Sequence, residues 1–237
     1  MSQPQELSRS NVNRLLAALP AEDYERLRPS LTPVTSALGD VIYESQRAMD
    51  YVYSPTTSHV SLLYTMGNGA TAEVGLVGNE GIVGIALFMG DDTTPNQAIV
   101  QGAGDAFKMS AAAMLVEFNR GGAFQIGLLR YTQSLIVKIS QTAVCNRLHT
   151  TEQRLCRWIL MTHDRSAGNE FRLTQEFISH MLGVRREQVT LAASTLQKQQ
   201  LISYSRGQIR ILDRAGLETV ACTCYGAVKE EYDNFLQ

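Results

Sequence analysis

A chain of 237 residues with 21 basic and 23 acidic side chains and four cysteines can form two small domains, each with its own core, and has no extreme of charge. The near balance hides an asymmetry: residues 1–100 carry eleven acidic and five basic side chains, whereas residues 172–214 carry three acidic and seven basic. The most apolar long stretch, 72–90, holds Glu73, Asn79 and Glu80 and is rich in glycine, which excludes a membrane-spanning helix there. With no secretory signal evident, a cytoplasmic location is expected.

The first ten residues are polar and are expected to be loose. Val12, Leu15, Leu16 and Leu19 then make one short amphipathic helix, and Tyr24 with Leu27 suggest another before Pro29. From Leu31 to about Met109 the pattern changes to short apolar runs (41–43, 51–53, 60–64, 98–100) separated by glycine, proline and Asn/Asp turns. Met66-Gly67-Asn68-Gly69 reads as a hairpin connection, and strands at this spacing predict an antiparallel sandwich or roll. Glycines 75, 78, 81 and 84 recur every third residue around Glu80. They fit a phosphate-cradling loop or the turns of a β-roll, although neither GxGxxG nor GxxxxGK[ST] is present.

Beyond Ser110 the pattern is helical. Ala111 to Asn119 forms a short helix broken by Gly121-Gly122. Phe124, Leu128, Tyr131 and Leu135 then step by 4, 3 and 4, as in a coiled-coil seam, until Lys138 takes the next seam place and Ile139 follows it. A helix packed on its own domain would show a similar stripe. A helix from about Thr151 to His163 turns Leu155, Trp158 and Ile159 toward a core, and a final helix is expected over roughly Arg214 to Phe235, with Leu217, Val220, Ala221 and Val228 packing.

On such a continuous final helix, Cys222 and Cys224 would point about 200° apart and could not clamp one metal. Cys145 and Cys156 would lie roughly 16 Å apart along a helix, too far for a disulfide, so buried free thiols are expected. His59, His149, His163 and His180 show no ligand spacing, and no metal site is expected. No Ser/His/Asp order, GxSxG elbow or HExxH string appears, so the chain does not read as an enzyme.

The most informative segment runs from Leu173 to Leu212. Leu173, Phe177, Ile178 and Met181/Leu182 recur at helical spacing behind Thr174, a suitable N-cap, and Gly183 interrupts where a left-handed residue is needed. Val184, Val189, Ala192/Ala193 and Leu196 mark a second helix. The other face of its start carries Arg185, Arg186, Glu187, Gln188 and Thr190, which suits base edges and phosphates in a major groove. Leu201-Ile202 and Ile209-Arg210-Ile211 flank a Ser205-Arg206-Gly207 hairpin tip. The whole is a winged helix-turn-helix. Two positive charges at a helix N-terminus are disfavoured by the dipole, which points to an external anion.

This segment resembles the C-terminal domain of the Crp/Fnr (cyclic-AMP receptor protein / fumarate-nitrate reductase regulator) family of bacterial transcription regulators. The matching string is Leu-Gly-Val-Arg-Arg-Glu-Gln-Val-Thr followed by Leu-Gln-Lys-Gln-Gln-Leu-Ile, with a weaker collinear likeness over about 30–150. The resemblance implies an α+β chain in three parts: an N-terminal antiparallel β-roll of the cyclic-nucleotide-binding kind with N-terminal helices (1–120), a long dimerisation helix and hinge (121–148), and the winged helix-turn-helix (149–237). It implies a homodimer joined through Phe124, Leu128, Tyr131, Leu135, Ile139 and Thr142. It also implies double-stranded DNA and RNA polymerase as partners.

Family base-reading positions fall on Arg186, Glu187, Thr190 and Leu191, with Arg185 and Gln188 as additional candidates; Leu191 departs from the arginine frequent there. Thr174, Gln175, Ser205 and Arg206 are the expected backbone contacts. The cyclic-nucleotide cassette falls on Gly84, Ile85, Asn96 and Gln97, with Ser140 approaching from the long helix. Cyclic-nucleotide binders place a glutamate at Ile85 for the ribose and an arginine at Asn96 for the phosphate. Neither is present, so cyclic AMP is not expected to bind in the usual way. The family's oxygen sensors hold an iron-sulfur cluster through cysteines near the N-terminus, and this chain has none before Cys145. With the scattered histidines also arguing against haem, no cofactor is expected. The competing reading is a ligand-binding roll whose C-terminal module contacts protein instead of DNA.

Overall fold

The computed structural model describes residues 13–166 and 168–234. They divide into two compact units: the described residues up to Ser61 together with Leu76–Gln133, and Leu62–Gly75 together with Ser134–Asn234. This division differs from boundaries at 120 and 148, because a roll hairpin is grouped with the C-terminal half and one long helix is shared.

The first unit opens with α1 (Arg14–Ala17) and α2 (Ala21–Leu27). Val12 and the residues before it, to which the sequence assigned a loose start and the first helical turn, lie outside the described residues. Asn13 is buried and ties this start down. Its Oδ1 accepts from the amides of Leu15 and Leu16, while its Nδ2 donates to the carbonyls of Pro55 at 2.9 Å and Gly81 at 2.7 Å. A buried amide must spend all its polar atoms in this way, which fixes the helix on the roll.

The roll consists of β1 (Thr32–Ser36), β2 (Val41–Tyr43), β3 (Tyr51–Pro55), β4 (His59–Thr65), β5 (Thr71–Val77), β6 (Gln97–Gly102) and β7 (Gly104–Ser110), with the short helix α3 (Ala86–Met89) between β5 and β6. One sheet runs β1-β7-β3 and the other β2-β6-β4-β5. The 66–69 connection is the predicted hairpin turn, with the Met66 amide donating to the Ala70 carbonyl at 2.8 Å. The every-third glycines are parts of the roll. Gly75 lies in β5 against Leu62 and Leu135, Gly81 lies under the Tyr131 ring, and Gly84 takes φ +102° beside Val52.

Next come α4 (Ala111–Arg120), capped by Ser110 and closed by Gly121 at φ +82°, and α5 (Ala123–Leu148). Residues 124, 128, 131, 135, 138, 142 and 145 of α5 step alternately by four and three and face inward. All are buried except Thr142, which is half-buried. The heptad therefore does not slip at Lys138, a buried residue on the same face.

The second unit holds α6 (Thr151–His163), β8 (Glu170–Arg172), α7 (Gln175–Leu182), α8 (Arg186–Lys198), β9 (Ile202–Ser205), β10 (Gln208–Ile211), α9 (Arg214–Val220) and α10 (Cys224–Asn234). Thr150 and Gln153 form a capping box at the start of α6, where the sequence places it. Leu155, Ile159, Ile178, Val189, Leu196, Ile202, Ile209 and Leu217 make the core of this unit. The wing sheet has three strands in the order β8-β10-β9. Its first strand is a three-residue segment too short to read from periodicity.

Candidate DNA interface

Helices α7 and α8 form the helix-turn-helix. Thr174 accepts from the Phe177 amide at 3.1 Å to start α7, and Gly183 ends it at φ +60°, ψ +41°, a conformation cheap only for glycine. The Arg154 guanidinium donates to the Leu182 carbonyl, so a cation from α6 covers an orphan acceptor at the C-terminus of α7. Trp158 of α6 packs against Phe177 with ring centroids 6.5 Å apart. The sequence thus builds a rigid support on one side of the motif and leaves the other side free.

That free side carries the predicted residues. Arg185, Arg186, Glu187, Gln188 and Thr190 are exposed, and Val189, Ala192, Ala193 and Leu196 are buried behind them. Gln188 Oε1 accepts from the Arg185 amide at 3.2 Å and so helps start α8. The Thr190 hydroxyl lies 2.9 Å from Gln175 Oε1 and 3.0 Å from the Arg186 carbonyl, which links α8 to α7. Arg186 and Glu187 reach solvent at the first turn of α8. Leu191, 71% exposed, is an apolar side chain presented to the outside on the same helix.

In the wing, Arg206 at φ +50° and Gly207 at φ +77° form the tight turn between β9 and β10, and Ser205 and Arg206 are exposed. The Tyr204 hydroxyl donates to the Leu173 carbonyl at 2.8 Å and fastens the wing to the start of the motif; burial raises its pKa. Thr174, Arg185, Arg186, Glu187 and Arg206 therefore belong to one braced module of helices and wing.

One group of sequence-assigned residues sits elsewhere than expected. Phe124, Leu128, Tyr131 and Leu135, read as a dimer seam, are sealed inside the protomer: Tyr131 covers Gly81, and Leu135 meets Gly75. Ile139 and Thr142 are half-buried, and the Thr142 hydroxyl accepts from Arg157 at 2.9 Å. The stripe is real, but it serves the chain's own core. The outward face of α5 instead exposes Ile126 (51%), Leu129 (50%), Ile136 (48%) and Val144 (48%). The signal was available in the sequence as Ile126, Leu129 and Ile136 on a second heptad offset from the first, with Val144 one residue past its next place.

In the cassette, the side chain of Asn96 donates to the Tyr43 hydroxyl at 2.7 Å and accepts from the Thr94 hydroxyl, while Gln97 donates to the Glu44 carboxylate. Burial pushes Tyr43 up to about 12, so this hydroxyl stays neutral. Ile85 precedes α3 as its N-cap residue, and Ser140 is exposed on α5.

The cysteines require a correction. The final helix is not continuous. It breaks at residues 221–223, between α9 and α10, so the 200° separation of Cys222 and Cys224 does not apply. Their sulfurs converge with Cys145 Sγ and His149 Nδ1, all four donor atoms lying within 4.8 Å of one another. Hydrogen bonds from Cys222 and His149 hold the Cys145 thiol well below its ordinary range, and its thiolate in turn pushes Cys222 up. Cys156 stands apart as a buried thiol, pushed up to about 12 by burial.

Residues 153–220 match the family described as the Crp-like helix-turn-helix domain. No curated protein matches the chain. Among solved structures, a putative transcriptional regulator of the Crp/Fnr family from Eubacterium rectale shares the fold with a TM-score of 0.70 and 16% identity, over 87% of this chain and 96% of that one. FixK2 from Bradyrhizobium japonicum gives 0.68 and 16% over 81% and 98%. The c-di-GMP responsive global regulator CLP of Xanthomonas campestris gives 0.63 and 14% over 81% and 99%. Among the described residues no helix is long and apolar enough to cross a membrane. Residues 153–220 are thus matched as a Crp-like helix-turn-helix domain, and the chain shares the fold of these regulators.

Proposed function

We propose that the protein is a homodimeric regulator that reads a two-fold-symmetric operator by placing the start of α8 in the major groove. The observation that carries this reading is the exposure of Arg186 and Glu187 on the first turn of a helix whose opposite face is locked in the core. Arg186 reads guanine O6/N7, Glu187 accepts from cytosine N4, and Thr190 with Leu191 contacts a thymine methyl. Arg185 and Gln188 flank these contacts. Thr174, Gln175, Ser205 and Arg206 hold the phosphates and set register.

The dimer forms along the exposed face of α5, through Ile126, Leu129, Ile136 and Val144, in place of the buried stripe. It spaces two recognition helices by about one DNA turn, near 34 Å. The regulator works in the cytoplasm and meets RNA polymerase at its promoters. Its roll does not take cyclic AMP in the usual way. Asn96 and Gln97 are engaged with Tyr43 and Glu44, and no arginine replaces Asn96 at the phosphate position. The input comes from another source, through the roll or through the hinge at 147–150.

Selection of bound sites from random duplexes tests the reading. Enrichment of an inverted repeat with half-sites one turn apart is the expected result, with affinity falling steeply as salt rises. Binding without sequence enrichment and without salt dependence would favour a C-terminal module that contacts protein.

A further inference from the structure

We propose that Cys145, His149, Cys222 and Cys224 hold one zinc ion in a tetrahedral Cys3His site at the end of α5. Cys145 lies in the last turn of this helix and His149 follows four residues later, on the same side. Cys222 and Cys224 come from the α9–α10 junction, one on each side of Thr223. Cys145 Sγ and Cys222 Sγ are 3.4 Å apart, and Cys224 Sγ lies 3.6 Å from His149 Nδ1. A tetrahedral ion with Zn–S near 2.3 Å and Zn–N near 2.0–2.1 Å requires S···S edges of about 3.8 Å and S···N edges of about 3.6 Å. Two edges are therefore already close to those of one such tetrahedron, and the others are at most 4.8 Å.

Three further observations point the same way. The helical path breaks between Val220 and Cys224 although Val220-Ala221-Cys222-Thr223-Cys224 contains neither glycine nor proline, and the break is what turns both thiols inward. The three cysteines are buried and form a cluster of their own. Gln141 Nε2 donates to Cys224 Sγ at 2.9 Å, the kind of outer hydrogen bond that orients a metal-bound thiolate.

A two-iron cluster would seat its ligand pairs on separate irons and needs a wider set than one in which every donor lies within 4.8 Å of every other. A single soft-ligand ion fits, and zinc suits three thiolates and one imidazole. Binding replaces the thiol protons, which leave to solvent, while His149 coordinates through Nδ1 and keeps its proton on Nε2.

The test uses the full chain, stripped with a chelator under reducing conditions and titrated with zinc against a chromophoric competitor, and in parallel with cobalt. The expected result is one ion per chain, proton release on loading, and a cobalt spectrum with a thiolate charge-transfer band and strong tetrahedral d–d bands. Cys222→Ser/Cys224→Ser loses all three, and Cys156→Ala keeps them. Absence of stoichiometric zinc binding in the wild-type chain, a cobalt spectrum without the thiolate band, or unchanged binding in the double variant overturns the proposal. If the double variant does not fold, the wild-type stoichiometry and cobalt spectrum decide alone.

Discussion

Arg186, Glu187 and Arg206 are all exposed, yet their chemistry separates them. A carboxylate only accepts, and on the proposed reading Glu187 accepts from a base donor, so Glu187→Ala is expected to relax preference at one operator position by about 1–3 kcal/mol while leaving random-DNA binding nearly unchanged. Arg206 is a wing-tip charge, and Arg206→Ala is expected to weaken all sequences alike and to reduce the salt slope by about 1. Binding isotherms on operator and random duplexes at several salt concentrations separate the two outcomes. Equal losses for both variants on both DNAs would contradict the assignment. Buried Cys156, raised to about 12, is expected to resist alkylation at neutral pH until the chain unfolds, as mass spectrometry can follow.

Among the elements, α5 shows why a periodic signal needs a direction. The stripe Phe124, Leu128, Tyr131 and Leu135 was legible in the sequence, but its partner was not, because a coiled-coil seam and a core-facing face share one period. Closeness decides it: a Cβ at Gly81 would stand 2.1 Å from the Tyr131 ring. Gly81→Ala is therefore expected to cost about 1–3 kcal/mol through overpacking, measured by urea unfolding. Conversely, Leu129→Glu with Ile136→Glu alters only the outer face and is expected to yield a folded monomer by sedimentation and circular dichroism. A dimer that survives this change would place the interface elsewhere. The break in the C-terminal helices was not legible for a related reason. The break between α9 and α10 has no local breaker, so helix propensity alone continues through Cys222.

For the molecule as a whole, the helix-turn-helix was readable almost to the residue, since Thr174, Gly183 and the Arg206-Gly207 turn each announce a local geometry. The roll was readable as a class, whereas β1, β7 and β8 were not, because short strands gain their identity from neighbours distant in sequence. Calorimetry with cyclic AMP is expected to register no binding, and micromolar affinity would overturn the account of Asn96 and Gln97.

The pairing proposed along the uncovered row of α5 has a further consequence. When pairing precedes operator binding and most chains are still single, occupancy of a symmetric operator grows with the square of chain concentration. Abundance then becomes an input in its own right, and a modest rise in synthesis turns a graded signal into a steeper response without any small molecule.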